Sequence, residues 1–145
     1  MATYRIVNKL SPTDTAYIAG IIDGEGTITL SRKHRNENRQ LAISISNTEL
    51  QLLKFVHNAI GAGKITTKKT SADHHMQSYT YAIYNRQALH LLEQIHPYLH
   101  TYKVRRSELI LKDYIKLTPR NGKYSDAQIK LRANFEQNVL NIKAR

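Results

Sequence analysis

Tyr17-Ile18-Ala19-Gly20-Ile21-Ile22-Asp23-Gly24-Glu25-Gly26 is an apolar run that stops in two acids set between glycines. The residues before it read as a helix start, with Ser11 as N-cap, Pro12 at the first helical place and Asp14 at the third. Gly24 suits the positive φ that closes a helix, and Gly26 lets the chain turn sharply into the next segment. Gly20 is the anomaly, because a glycine inside a helix costs about 1 kcal/mol relative to alanine. Together with Ala16 and Ala19 it leaves one side of the helix nearly bare, open to close approach by another backbone. The stretch is thus a packing helix that delivers Asp23 and Glu25 to its end.

Working outward, Thr27 to Lys33 alternates strictly and reads as a strand with Ile28 and Leu30 inward. His34 to Arg39 is a basic hairpin tip, and Leu41 to Ser46 alternates again, burying Leu41, Ile43 and Ile45. Thr48 and Gln51 predict a capping box for a helix bearing Leu52, Leu53, Phe55, Val56 and Ile60, closed by Gly61. Lys64 to Thr70 and Ser78 to Tyr84 predict two further strands, joined by a loop over 71–76. Asn85 is placed to cap a helix of Leu89, Leu92 and Ile95 that Pro97 closes. Residues 103–117 form an amphipathic helix through Val104, Leu109, Ile110, Leu111, Tyr114 and Ile115. After a turn over 119–123, Ser125 and Gln128 cap a last helix of Ile129, Leu131, Phe135, Val139 and Leu140. Residues 1–10 carry no turn signal and are expected to run along the surface. The order is α-β-β-α-β-β-α with helices appended, an α+β fold with one antiparallel sheet, expected as a single domain over 1–145.

Composition narrows the partner. Twenty-two Lys and Arg against eleven Asp and Glu give a net charge of +11, which points to a polyanion such as nucleic acid. With no cysteine, disulfides and cysteine zinc sites are excluded and the compartment is reducing or indifferent. No apolar run approaches the ~18 residues of a membrane span, and no signal-peptide pattern opens the chain.

The outward sides of the strands carry Thr27, Thr29, Ser31 and Lys33, then Gln40, Ala42, Ser44 and Ser46, then Lys64, Thr66 and Lys68 with Ser78 and Thr80. An ordinary solvated face mixes Glu with Lys, whereas this one has hydroxyls and cations with almost no acids. Such a surface suits the major groove of double-stranded DNA, where hydroxyls and amides read base edges and cations hold phosphates. Arg35 and Arg39 in the hairpin tip extend the same charge. Gly63-Lys64 fails as a phosphate loop, because Asn58 stands where the first glycine belongs and Ile65 where Ser or Thr is needed. His74, His75, His90, His96 and His100 lack the partners of a metal set and read as surface or capping residues.

Phosphodiester hydrolysis needs a hard divalent cation to polarise the phosphate and acidify an attacking water. Carboxylates are its natural ligands, and Mg²⁺ takes one or two of them besides water and phosphate. The carbonyls at the end of a helix are themselves partly negative, so the site attracts a cation, and Glu25 is expected on a short loop between two glycines beside it. Asp23 either joins it or braces the turn as a local Asx-turn.

The ten residues from Tyr17 to Gly26 resemble the LAGLIDADG motif of homing endonucleases. Ala19-Gly20 match its alanine and glycine, Asp23-Gly24-Glu25-Gly26 its acidic ending, and Ile18 replaces its first leucine. The resemblance spans most of residues 12–117 and implies a site-specific DNA endonuclease that cuts a long palindromic or pseudo-palindromic target. It implies a homodimer, since only one motif is present, with the two motif helices packed together and both final acids at the centre of the DNA site. By the same likeness Glu25 holds Mg²⁺ beside the backbone carbonyl of Gly24, and Ca²⁺ is expected to bind without supporting cleavage. The run from His96 to Lys103 is similar to the family segment that supplies a catalytic lysine, here Lys103. Asn47 or Glu49 would fill the place of the polar residue near the attacking water. The alternative is a non-cleaving relative that binds nucleic acid, such as an intron maturase acting on RNA or a transcription regulator. Either way the implied setting is intracellular, in an organelle or a prokaryotic cytoplasm.

Overall fold

The computed structural model describes residues 6–68, 76–119 and 122–144. Helix α1 (Pro12–Glu25) leads into strands β1 (Gly26–Ser31) and β2 (Gln40–Asn47), then α2 (Leu50–Ile60), β3 (Lys64–Lys68), β4 (Ser78–Tyr84) and α3 (Asn85–Ile95). A short 3-10 turn (His96–Tyr98) precedes α4 (Lys103–Asp113), and α5 (Asp126–Asn141) ends the fold. The four strands form one antiparallel sheet in the order β1-β2-β4-β3. Its inner face buries Ile28, Leu30, Leu41, Ile43, Ile45, Tyr81 and Ile83 against α1, α2 and α3. The expected α+β architecture is therefore present. Residues 69, 70 and 71–75, with part of the expected third strand, His74 and His75, lie outside the described residues, as do 120 and 121 of the expected turn.

The start of α1 is as the sequence reads: Ser11 Oγ accepts from the Asp14 N–H at 3.2 Å and Pro12 opens the helix. Its end is different. The helix continues through Gly24 to Glu25, and the positive-φ glycines among the described residues are Gly61, Gly63 and Gly122. Gly26 is the cap, and a Cβ there would stand 2.8 Å from the Ile22 Cα, so the close crossing from helix to strand requires glycine. Glu25 thus sits on the last helical residue rather than on a loop. The bare face also shifts, since Ala19 is buried with Ile18 and Ile22 while Ala16 and Gly20 are exposed and continue to Gly24 at four-residue spacing. Among the described residues, and apart from its chain neighbours and the helix's own backbone, nothing lies within 4 Å of a Cβ placed at Gly20.

Four other expectations change. Residues 6–10 are pinned, not draped: Val7 and Leu10 are buried, the Asn8 N–H donates to Ile60 O at 2.8 Å and the Leu10 N–H to Gln94 Oε1 at 2.8 Å. The Thr48–Gln51 capping box does not form, because α2 is capped at Glu49 with no side-chain bond while Asn47 Oδ1 takes the Glu49 N–H at 2.8 Å. Asn85 is no cap either. It begins α3 at φ 54° and spends its side chain on Gln40 and Tyr114. In α5 the Ser125–Gln128 box is present, but Ile129 and Leu131 are exposed and the buried side is Arg132, Phe135, Glu136 and Val139. There Arg132 meets Glu136 at 3.0 Å and donates to Leu117 O at 2.8 Å, Thr118 Oγ1 at 2.7 Å and Arg39 O at 2.6 Å. A buried cation is tolerated when each guanidinium nitrogen has an acceptor in this way.

Candidate active site and nucleic-acid interface

Because β1 follows α1 without a linker and β2 returns beside it, the end of α1 and the end of β2 meet. Asn47 Nδ2 donates to Glu25 Oε2 at 2.5 Å. One amide thereby holds the Glu25 carboxylate with one face and the start of the 48–49 turn with the other. Glu25 and Glu49 are both exposed. The donor set available here is hard oxygen: the Glu25 carboxylate, whose Oε1 is not the atom that Asn47 engages, and backbone carbonyls at the helix end. That chemistry fits Mg²⁺ or Ca²⁺ and not a softer metal. Among the described residues no three His, Asp or Glu converge as a closed metal cage.

Asp23 is turned away from Glu25 and across to the segment before α4. Its Oδ2 accepts the His100 N–H at 2.7 Å, and its Oδ1 accepts the Thr101 N–H at 3.2 Å and the Thr101 hydroxyl at 2.6 Å. The expected bracing role is present, but the partners are some eighty residues away rather than in a local turn. Burial alone would raise the Asp23 pKa; the Thr101 hydroxyl, the two backbone amides and the Lys103 charge outweigh it and hold the pKa below the ordinary value.

Lys103 lies beneath the same helix end, 6% exposed, and donates to Ile22 O at 2.7 Å and Asp23 O at 2.8 Å. It adds a second donor to the Ile22 carbonyl, which already accepts the Gly26 N–H, and meets the Asp23 carbonyl, and its charge opposes the partial negative charge of the helix end. Desolvation lowers its pKa; Asp23 acts to raise it and Arg106 to lower it further. Arg106 is buried alongside, donating to Ile28 O at 2.9 Å and Ile142 O at 2.7 Å. Lys103, Arg106, Ser107 and Ile110 form the buried stripe of α4. Their i, i+3, i+4, i+7 spacing is the ordinary inward period of a helix, and it escaped notice because three of the four are polar.

The lowered Asp23 pKa makes a pH prediction. The carboxylate stabilises the fold fully above its unfolded value of 3.8, and that contribution is lost as pH falls through the depressed folded value. Asp23→Asn should flatten the acid limb of a Tm-against-pH curve below about pH 4. An acid limb identical to that of the wild type would show that the contacts to residues 100 and 101 carry no charge-dependent stability.

The sheet's outer face is assembled by register. Thr27, Thr29 and Ser31 pair with Ser44, Ala42 and Gln40. Ser44 and Ser46 pair with Ala82 and Thr80, and Lys64, Thr66 and Lys68 with Ala82, Thr80 and Ser78. Directly paired residues share a face, so the expected outward residues of all four strands form one surface. Ala82 and Tyr84 also belong to it and were missed, because their strand reads as a tyrosine-rich apolar run. Ala42 is buried, its methyl flanked by Thr29 and Tyr84 on the neighbouring strands, so it offers no reach of its own. Lys33 and Arg35 are exposed in the β1–β2 loop beyond the strand ends. Arg39 is partly withdrawn, with its N–H on Glu136 Oε1 at 3.2 Å and its guanidinium 4.0 Å from the same carboxylate.

A small-residue helix that ends in an exposed acid, running straight into a sheet with one acid-free face, defines the class: an α+β domain of the homing-endonuclease type. The model of the LAGLIDADG endonuclease family matches residues 18–118, and the chain belongs to that family. Solved structures share the fold. The homing endonuclease I-CvuI in complex with its target matches at TM-score 0.73 and 18% identity, over 90% of this chain and 82% of that one. The archaeal intron-encoded I-Vdi141I complexed with DNA matches at 0.70 and 18% identity, over 92% and 86%. The meganuclease I-AabMI bound to uncleaved DNA matches at 0.63 and 22% identity, over 84% of this chain but 43% of that one. Among the described residues no helix is long and apolar enough to cross a membrane.

Proposed function

We propose that the protein is a homodimeric, Mg²⁺-dependent, site-specific DNA endonuclease, with its 145 residues working as one domain in each subunit. The observation that carries this reading is the junction at Glu25, where one exposed carboxylate stands between an open small-residue helix face and an acid-free sheet face. The membership of the chain in the LAGLIDADG family, and the DNA complexes of the relatives that share its fold, support it. Pairing two copies across Ala16, Gly20 and Gly24 brings two Glu25 carboxylates to one centre, and each sheet then lies in the major groove of one half-site.

The cation, when bound, supplies Lewis-acid polarisation of the phosphate and a more acidic water. Glu25 would hold it, with the Gly24 carbonyl beside it. Asn47 holds the Glu25 carboxylate through Oε2 and does not engage Oε1. Asp23 and Lys103 act one step back: the first ties the end of α1 to residues 100 and 101, and the second meets the carbonyls of Ile22 and Asp23. Together they keep the last turn of α1 in place when phosphates approach. Glu49, exposed beside Asn47, is the other candidate for the polar residue near an attacking water.

A Mg²⁺-dependent cleavage screen over a randomised duplex library tests the whole reading, and binding without cutting in Mg²⁺ would favour a non-cleaving relative. On the target so found, Ser44→Ala or Thr29→Ala should change base preference at one symmetric pair of positions, by the ~1–3 kcal/mol of a direct contact. Arg35→Ala or Lys68→Ala should instead weaken binding to all sequences and shallow the salt dependence. Unchanged base preference in both hydroxyl variants would show that this face does not read DNA.

A further inference from the structure

At the hairpin end of the sheet, a chain of four hydrogen-bonding groups has a forced direction. The Leu41 N–H, which can only donate, gives to the Tyr114 hydroxyl at 3.1 Å. The hydroxyl's single proton must then go elsewhere, and it goes to Asn85 Oδ1 at 2.9 Å. With its oxygen so used, Asn85 faces Gln40 through Nδ2, which donates to Gln40 Oε1 at 2.7 Å. Polarity therefore passes from a buried backbone amide to an outer-face side chain, and it leaves Gln40 with its NH₂ as the free end. The relay is rigidly held. Tyr114 is 1% exposed, with the Arg132 guanidinium 4.9 Å from its ring centroid and Phe135 beside it.

We propose that Tyr114 and Asn85 are positioning residues that present Gln40 to DNA as a hydrogen-bond donor, so that Gln40 selects guanine over adenine at the base pair it faces. A free glutamine reads adenine by using both ends, donating to N7 and accepting from the N6 amino group. Here Asn85 takes one lone pair of the accepting end at 2.7 Å, which anchors the amide by its oxygen and leaves the NH₂ unengaged, and an N–H so presented finds an acceptor in guanine O6 where adenine has a donor at N6. The inference rests on the proposed DNA-reading role of the sheet and refines it at one position.

Asn85 stands at φ 54°, a conformation that glycine adopts without cost, so Asn85→Gly removes the relay while keeping the backbone. Binding selection from a randomised duplex library in Ca²⁺, with Tm measured in parallel, should show a guanine preference at one symmetric pair of positions for the wild type. That preference should weaken at least tenfold towards adenine in Asn85→Gly. Tyr114→Phe should shift the same position, with a lower Tm because the Leu41 N–H loses its partner. Wild-type preference for adenine at that position, or an Asn85→Gly profile equal to the wild type, overturns the relay. Gln40→Ala separates the two levels: if it changes no position while Ser44→Ala or Thr29→Ala does, the relay is overturned and the face stands, and if none of the three changes a position, the assignment of the face fails as well.

Discussion

Glu25→Gln is expected to abolish strand scission in Mg²⁺ while leaving the protein folded and bound to its target. The substitution keeps the shape of the side chain and an oxygen for Asn47 to donate to, and removes only the anionic ligand. Because Glu25 is exposed, no core contact is lost and the unfolding free energy should stay within the usual scatter of surface substitutions, about 0.5 kcal/mol. Affinity measured in Ca²⁺ should hold or rise, since a carboxylate near phosphates repels them when no cation intervenes. Asn47→Ala, which frees the carboxylate without removing it, should cost roughly 10–100-fold in activity, the usual penalty for losing an outer partner of a metal ligand. A Glu25→Gln protein that still cuts its target at the wild-type rate would remove this mechanism and leave a basic DNA-binding fold.

Gly20→Leu is expected to separate the subunits without harming either one. Among the described residues nothing beyond the helix's own neighbouring atoms lies within 4 Å of a Cβ at Gly20, and leucine is a far better helix former, so the isolated fold should gain stability by up to about 1 kcal/mol. Between two helices packed at Ala16, Gly20 and Gly24, the same side chain has no space. Overpacking of this kind costs about 1–3 kcal/mol or more, which raises the dimer Kd roughly tenfold or beyond. Sedimentation should therefore show monomer where the wild type shows dimer, with cleavage lost in parallel and Tm unchanged or higher. Dimerisation and cleavage both intact in Gly20→Leu would place the partner surface elsewhere.

These two variants differ in what they need from the fold. In the proposed mechanism Glu25 acts through its charge, at a position that the chain itself specifies, at the end of a helix and the start of a strand. In the proposed dimer Gly20 acts through the absence of a side chain, and that depends on which side of α1 faces inward. The sequence showed that small residues cluster on that helix. Only the packing of Ile18, Ala19 and Ile22 against the sheet shows that Ala19 belongs to the core and Ala16 and Gly20 to the open side.

The sequence by itself determined the α+β order, the two acids, the strands with their inward residues, and the acid-free outer face. Those signals are local: period-2 alternation, an N-cap with Pro12, and glycines around an acidic pair, each read within a few residues. Likeness to family segments pointed to Lys103, and to Asn47 or Glu49, without their partners. Tertiary structure alone decided those partners. Asp23 reaches His100 and Thr101, Lys103 reaches the carbonyls of α1, and Tyr114 reaches Leu41 and Asn85, each across a long stretch of chain. It likewise decided that α4 and α5 bury Lys103, Arg106, Arg132 and Glu136 while Ile129 and Leu131 face solvent. The physical reason is the same throughout. Hydrophobic periodicity reports which residues leave water when burial itself is the driving force, but a buried charge is held by specific acceptors, and those are brought to it only when distant segments fold together.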